Sequence, residues 1–572
     1  MSYNVLAINP GHNGSACLLV DGKIEFYIEE ERISRMKYDG NPFRGMLEAI
    51  GIQRIDELVI GGTGQAEVHS LPWTGETAYG ALVRKFYPNV KITYRWQDHH
   101  RGHAESAFYN SGFETAAAII VDGAGSKIKF NTGEGQRPIE AFETETIYHC
   151  TFPGKFEDVY KSVANNDTPK FSNEQIVIDS AVTITKAYEG VSHYLGFGFI
   201  EAGKTMGLAP YGSYDENIGK LFLNDRADKN KFIPAYPAGS YIDQERNLYL
   251  KKADESNDWH KDPSKVTDVM KNLAWHVQSE TQEKVGDLIQ KAVDKTGEKN
   301  IVIAGGYGLN CVANYYYLER FPDLNIYIDP VSHDGGTSIG LAKQAWVTYC
   351  EEKEIVPDLM PLDTLYLGID RFQEVVKANN IIYSNVGSED TTYDDVAKLI
   401  AEGNIVSIFQ SRSEAGPRAL GNRSIVFDPR VKDGKDIVNK VKGREWFRPF
   451  AGSVLAEDAE EWFDLRGKKE TPFMMYAVDV ADSKLGDIPA ITHVDGTCRV
   501  QTVTKLQNKH YYELIKAFKE ETGVPILFNT SFNLAGEPLV ETVEDALDTL
   551  FKSELKYLYL PEIGKLLIKK AE

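Results

Sequence analysis

Cysteine is scarce: five among 572 residues, at positions 17, 150, 311, 350 and 498, and no two are spaced as CxxC. An odd, scattered set argues against a disulfide frame or a cysteine-rich zinc site and fits a reducing, cytoplasmic setting. Long apolar runs are missing too. No stretch reaches the roughly 18 apolar residues of a membrane helix, so no span is expected. The opening residues lack a basic segment followed by an apolar core, so no secretory signal is expected. Basic charge is in deficit. Lys and Arg number 63 against 84 Asp and Glu, a net charge of −21, which argues against a sequence-independent grip on nucleic acid. Only 20 of the cations are arginine, so a local cluster of arginines is informative.

Core-forming residues are plentiful. Hydrophobic residues make up 42% of the chain, and its length implies two or three domains. The chain is organised around Asp98-His99-His100-Arg101-Gly102-His103-Ala104-Glu105-Ser106. Residues 103–112 read as a helix. His99 and His103 are four apart, so at a helix start both imidazoles point to one side. Asp122 ends the apolar run from Ala117 and precedes Gly123. A strand end beside a helix start is where α/β proteins place ligands. Two imidazoles and a carboxylate make a divalent-metal donor set. The alternative is an exposed helix start that merely carries histidines.

Glycine turns recur along the first 350 residues. Residues 4–22 read strand, turn, strand, with His12, Asn13 and Gly14 in the turn. Glu30-Glu31-Arg32 follows a third strand and opens a polar helix facing a cleft. Further turns are 121–126, 301–310 (with Gly305, Gly306 and Asn310) and 333–338 (with Asp334 and Gly335). Each follows an apolar strand or opens a helix. Their order resembles the sugar-kinase, heat-shock and actin fold, in which two α/β lobes clamp a nucleotide. Lys204, in the glycine-flanked loop 201–212, could meet a phosphate or a carbonyl oxygen; a solvated lysine is the alternative. Residues 263–294 carry the longest helical pattern and are assigned to core. Stretches 127–170 and 213–262, polar and poorly periodic, read as insertions.

Pro and Asp near 355–365 mark a boundary. Beyond it, six arginines (412, 418, 423, 430, 444, 448) fall within 37 residues, interleaved with Gly, Pro, Trp and Phe. Arginine suits bidentate grip on phosphate and carboxylate. The interleaving favours an anion pocket over a solvated basic face. His493 to Gln501, with Arg499, is a polar loop before a strand. Asn529-Thr530-Ser531-Phe532-Asn533 ends a buried strand with groups suited to phosphate contacts.

Six segments together resemble the NodU/CmcH (TobZ-like) family of O-carbamoyltransferases, nearly end to end: 98–108, 201–212, 416–424, 444–452, 493–502 and 529–538. That family joins a TsaD-like half to a YrdC-like half whose signature is KxR with a later SxN. Lys442-Gly-Arg444 and Ser531-Phe532-Asn533 supply both. The resemblance implies an actin/heat-shock/sugar-kinase-like domain over 1–355 and a YrdC-like α/β domain over 361–572. It implies metal ligands at His99, His103, Asp122 and Asp334, with Fe(II) favoured and Mn or Zn compatible. It implies that the second half makes carbamoyl adenylate from carbamoyl phosphate and ATP, with Mg²⁺ as an accompanying ion. Arg418, Lys442, Arg444, Arg448 and Arg499 would hold phosphates. Ser531 and Asn533 would orient the nucleotide, and Arg423, His493 and Asn529 would complete its contacts. Gly305, Gly306, Asn310 and Gly335 would hold adenosine in the first half, where the carbamoyl group passes to a hydroxyl. Lys204 would serve there as well, and His12 as a base or acceptor contact.

Two departures stand out: Asn13 occupies a position where the family often has an acidic residue or His, and RPFAG replaces the common RPFAP. The expected partners are small molecules: a hydroxylated metabolite, a sugar, or a hydroxymethylated nucleobase, free or in DNA. No membrane partner is expected, and a homodimer is compatible. The rival readings are a nucleotide-regulated binding protein of the actin/heat-shock type and a threonylcarbamoyl-type tRNA-modifying enzyme. The two signatures argue against the first and the acidic charge against the second.

Overall fold

The structure, a computed structural model, describes residues 2–63, 77–130, 139–164, 170–171, 175–178, 183–198, 200–216, 218, 220–222, 241–242, 248–251, 263–380 and 385–570. The architecture is mixed α/β. In the first half one sheet plan occurs twice. Strand Asn4–Asn9, buried throughout, pairs antiparallel with Ser15–Val20, which pairs with Lys23–Glu29. On its other side lie Glu57–Ile60 and Lys91–Tyr94, both parallel. In the second sheet Thr115–Val121 takes the central place. It pairs antiparallel with Ile139–Thr151 and parallel with Asn300–Ala304, which pairs with Asn325–Ile328. The central strands are continuous apolar runs because both faces are covered.

Two helices lie between the sheets and set the geometry of the site. His99–Ser111 is buried nearly all round, and Thr337–Glu352 packs along it. Gly340 permits this: a side chain there would strike the Gly102 carbonyl and the Ser106 amide. Gly102 in turn meets Thr337, 3.3 Å from where its own Cβ would sit. The close crossing brings the turn before Thr337 onto the first turn of His99–Ser111.

Two expectations change, and a third falls mostly outside the described residues. Residues 127–170 are not an irregular insertion where described. Lys127–Phe130, Ile139–Thr151 and Lys155–Ala164 are strands of the second sheet. The polar composition misleads because Glu143 and Glu145 are buried and accept hydrogen bonds, from the Ser126 and Ile184 amides respectively. The segment 201–212 is not a loop. It forms a helix, Ala202–Leu208, and a 3-10 turn, Ala209–Tyr211, and Gly207 lets Pro449 of the second half pack close. Most of 213–262 lies outside the described residues; Leu248–Lys251 within it is a strand paired with Gln175–Ile178.

The longest helix, Asp268–Thr296, starts at a Thr267 cap and ends at Gly297 with φ +73°. No helix or strand occurs between Glu352 and Tyr366, where the boundary was expected. Buried Lys343 pins that connection, donating to Asn110 Oδ1 and to the Met360 carbonyl, each at 2.6 Å. The second half is built on a ten-stranded, mostly antiparallel sheet with Arg423–Phe427 and Ile526–Ser531 near its centre. Among the described residues no helix is long and apolar enough to cross a membrane.

Candidate metal centre and anion chamber

His99, His103, Asp122 and Asp334 converge: one donor atom from each lies within 4.8 Å of the others. His99 Nε2 is 3.2 Å from His103 Nε2, 3.3 Å from Asp122 Oδ2 and 3.6 Å from Asp334 Oδ1. All four residues are buried. Asp122 is aimed from behind, since the Gly306 amide donates to its Oδ1 at 3.0 Å. Gly305 makes this approach feasible with φ +88°, where a side chain would strike the Val121 carbonyl.

Burial alone would lower the His99 pKa, but the carboxylates of Asp334 and Asp122 outweigh it and raise the value to about 10. Burial pushes the two aspartates up, and the facing histidines bring both below their ordinary value. Among the described residues buried His99 Nδ1 has no partner. Two imidazoles with Nε2 atoms facing each other and two carboxylates fit a divalent ion with mixed N and O ligands.

The second constellation is cationic. Lys442 Nζ donates to the Ser531 carbonyl, to Ser531 Oγ at 3.3 Å, and to Asn533 O and Oδ1 at 2.9 and 3.1 Å. Arg444 and Arg448 act on it, and Arg418 and Arg499 act in turn on Arg444. Burial, then repulsion from Arg444 and Arg448, drives the Lys442 pKa well below its usual value. Burial and Arg499 lower Arg418 to about 9, and burial with Arg448 lowers Arg444 and Arg499. Nε of Arg418 and of Arg499 are buried without partners among the described residues. Arg418 reaches the first half, donating to the Leu309 carbonyl at 3.2 Å. Clustered cations with unfilled donors have the chemistry to receive an anion.

Other singled-out residues sit around these centres. His12 Nδ1 lies 3.3 Å from Asp334 Oδ2 with its side chain 53% exposed, at the rim of the metal cluster. Lys204 bridges Glu201 and Glu445, both at 2.8 Å, and so ties the first half to the chamber loop. His493 packs on Tyr211, its Nε2 buried without a partner among the described residues. Asn529 donates to the Ala419 carbonyl at 3.2 Å, behind the Arg418 loop. Asn310 caps Cys311–Arg320 and bonds Gln278. Gly335 is packed between His333 and Tyr27. Arg423 departs most from expectation. Fully buried, it donates to the carbonyls of Gln410, Ser411, Asn422 and Glu541 and lies over the Phe409 ring. Its strand turns it away from the chamber into the core. Arg412 and Arg430 form pairs with Glu25 and Asp428.

Residues overlooked in the sequence reading are Glu29, His333 and Glu445. Glu29 had one visible signal, a carboxylate ending an apolar strand.

A mixed α/β fold with a buried histidine–aspartate cluster and an arginine chamber defines a two-site α/β protein. Residues 68–343 match the carbamoyltransferase N-terminus family and 397–570 the carbamoyltransferase C-terminus family. The chain belongs to the carbamoyltransferase family, in its NodU/CmcH-like branch, and is a transferase. It is 33% identical to nodulation protein NolNO of Sinorhizobium fredii, over 98% of this chain and 79% of that protein. It is 24% identical to 3'-hydroxymethylcephem-O-carbamoyltransferase of Amycolatopsis lactamdurans, over 95% of each. Among solved structures, full-length HypF in its phosphate- and nucleotide-bound form overlaps 61% of this chain and 47% of its own, with 14% identity and a TM-score of 0.31.

Proposed function

We propose that the chain is an ATP-dependent O-carbamoyltransferase. It activates the carbamoyl group of carbamoyl phosphate in the chamber of the second half and delivers it to an acceptor hydroxyl at the cluster in the first half. The observation that carries this reading is the clustering of Arg418, Arg444, Arg448, Arg499 and Lys442, in which Arg448 pairs with Glu445 at 3.3 Å while the buried Nε atoms of Arg418 and Arg499 have no partner among the described residues. Phosphates offset that charge. The meeting of Lys442 with Ser531 and Asn533 supports a YrdC-like second half, and the twice-used sheet plan supports a TsaD-like first half.

The chemistry balances as follows. Water releases phosphate from carbamoyl phosphate, leaving carbamate. A carbamate oxygen attacks the α-phosphorus of ATP, and pyrophosphate leaves with the chamber cations around it. The acceptor oxygen then attacks the carbamoyl carbon, AMP departs, and the hydroxyl proton passes to a base. His12 stands at the rim where that proton is released. A divalent cation held by His99, His103, Asp122 and Asp334, Fe(II) by resemblance, would supply Lewis acidity toward the carbamoyl oxygen. The acceptor is proposed to be a small hydroxylated molecule. The relative named for 3'-hydroxymethylcephem supports this, and a charge of −21 disfavours polymeric DNA or tRNA.

The test incubates the protein with ATP, carbamoyl phosphate and a panel of hydroxylated acceptors. The expected result is pyrophosphate release that requires carbamoyl phosphate, with a mass gain of one carbamoyl group on an acceptor. ATP binding with no response to carbamoyl phosphate would overturn the reading in favour of a nucleotide-regulated binding protein.

A further inference from the structure

Two loops that serve different sites lock against each other where the halves meet. One is the turn that carries Asp334. The other starts at Gly416 and carries Arg418. They touch directly: at φ +83°, Gly416 lies so near that a side chain would sit 3.2 Å from the Pro330 carbonyl oxygen and 3.5 Å from Val331. They are also joined by a buried polar chain. His333 Nε2 lies 2.9 Å from Glu29 Oε1. Glu29 Oε2 accepts from Arg32 Nη2 at 3.0 Å and from Arg32 Nε at 3.2 Å. The same Nη2 donates to the Gly416 carbonyl at 2.6 Å. Arg32, Glu29 and His333 are 2%, 3% and 8% exposed, so every link is shielded from water.

Two further buried atoms lack partners among the described residues, Arg32 Nη1 and Glu414 Oε2. Glu414 acts electrostatically on Arg32. Its other oxygen accepts the amides of Leu420, Asn422 and Arg423, at 2.8, 2.9 and 3.2 Å, and so holds the far end of the Arg418 loop. Arg32 and Glu414 thus each keep one unused hydrogen-bonding atom in the same buried network.

We propose that Arg32 is a positioning residue that ties occupancy of the arginine chamber to the turn bearing Asp334. This rests on reading the chamber as an anion site. An anion seated on Arg418 draws its loop inward, and Arg32 passes the change through Glu29 to His333. The turn at 333–338 is then held more firmly, so delivery of the carbamoyl group keeps step with its activation. Arg32 touches no substrate in this scheme.

Hydrogen exchange on the full chain, with inorganic pyrophosphate as the probe, tests it. In the native protein pyrophosphate slows exchange at least about threefold both at 416–423 and at 333–338. Arg32→Lys keeps the charge but cannot fork onto Glu29 and Gly416 together. It retains protection at 416–423 and loses it at 333–338. Protection confined to 416–423 in the native protein, or kept at both segments in the lysine variant, overturns the coupling while leaving the chamber intact. No protection at 416–423 in the native protein overturns the anion chamber, and the coupling falls with it. A thermal melt checks that the variant folds. If it does not, Glu29→Gln is read against the same outcomes.

Discussion

Gly306 donates its backbone N–H to Asp122 Oδ1, while the other oxygen of that carboxylate faces His99 at 3.3 Å. The carboxylate is thereby fixed from both sides before any ion arrives. Such support from behind a donor set holds its members at the separation an ion needs.

Removing one imidazole should separate the two sites. His103→Ala is expected to lower affinity for a divalent metal at least about 100-fold. Carbamoyl transfer should be lost, while carbamoyl-phosphate-dependent pyrophosphate release should stay within about twofold. Metal content by mass spectrometry and the two activities, measured on one preparation, check this. Equal loss of both activities would argue for a single shared site.

Metal binding should release a proton. The carboxylates hold a proton on His99 up to about pH 10 in the metal-free protein, and an ion must displace it. Apparent affinity should therefore rise with pH up to about 10, by about tenfold per unit if one proton is displaced. Calorimetry in buffers of different ionisation enthalpy counts the proton directly. The sign for stability follows from the raised value. The His99 contribution in the metal-free protein is fully present below about pH 6.5 and is lost as pH rises toward 10. A metal-free protein whose melting temperature does not fall over that window would contradict it.

The proposed mechanism assigns Arg418 to activation rather than delivery. Arg418→Ala should abolish carbamoyl-phosphate-dependent pyrophosphate release, since buried cations facing a polyphosphate act where charge moves. Transfer from supplied carbamoyl adenylate should survive. Failure of that rescue would count against the division between the halves.

Arg423 belongs to the core. Arg423→Met leaves four carbonyls without their donor, and the expected loss is about 3–5 kcal/mol of stability. Denaturant unfolding measures it. The folded fraction should keep its KM for ATP; a KM raised tenfold would place Arg423 in the nucleotide site after all.

The His99 and His103 spacing and the strand ending at Asp122 were legible because helix and strand periods are local properties. The arginines were legible only as a group. Arg412, Arg418, Arg423 and Arg430 look alike in the sequence, yet only Arg418 of these four reaches the chamber. Strand alternation and loop direction send the others to the surface or the core. The insertions were misread because buried carboxylates in Ile139–Thr151 resemble solvent-facing ones until their partners are placed.

The amino-acid order alone carried the α/β character, the glycine turns and the close spacing of Lys442 with Arg444 and of Ser531 with Asn533, since each depends on near neighbours. Tertiary structure decided which of those groups come together. The Arg32 contact with Gly416 spans 384 residues, and it exists only because two independently patterned halves dock and exclude water between them.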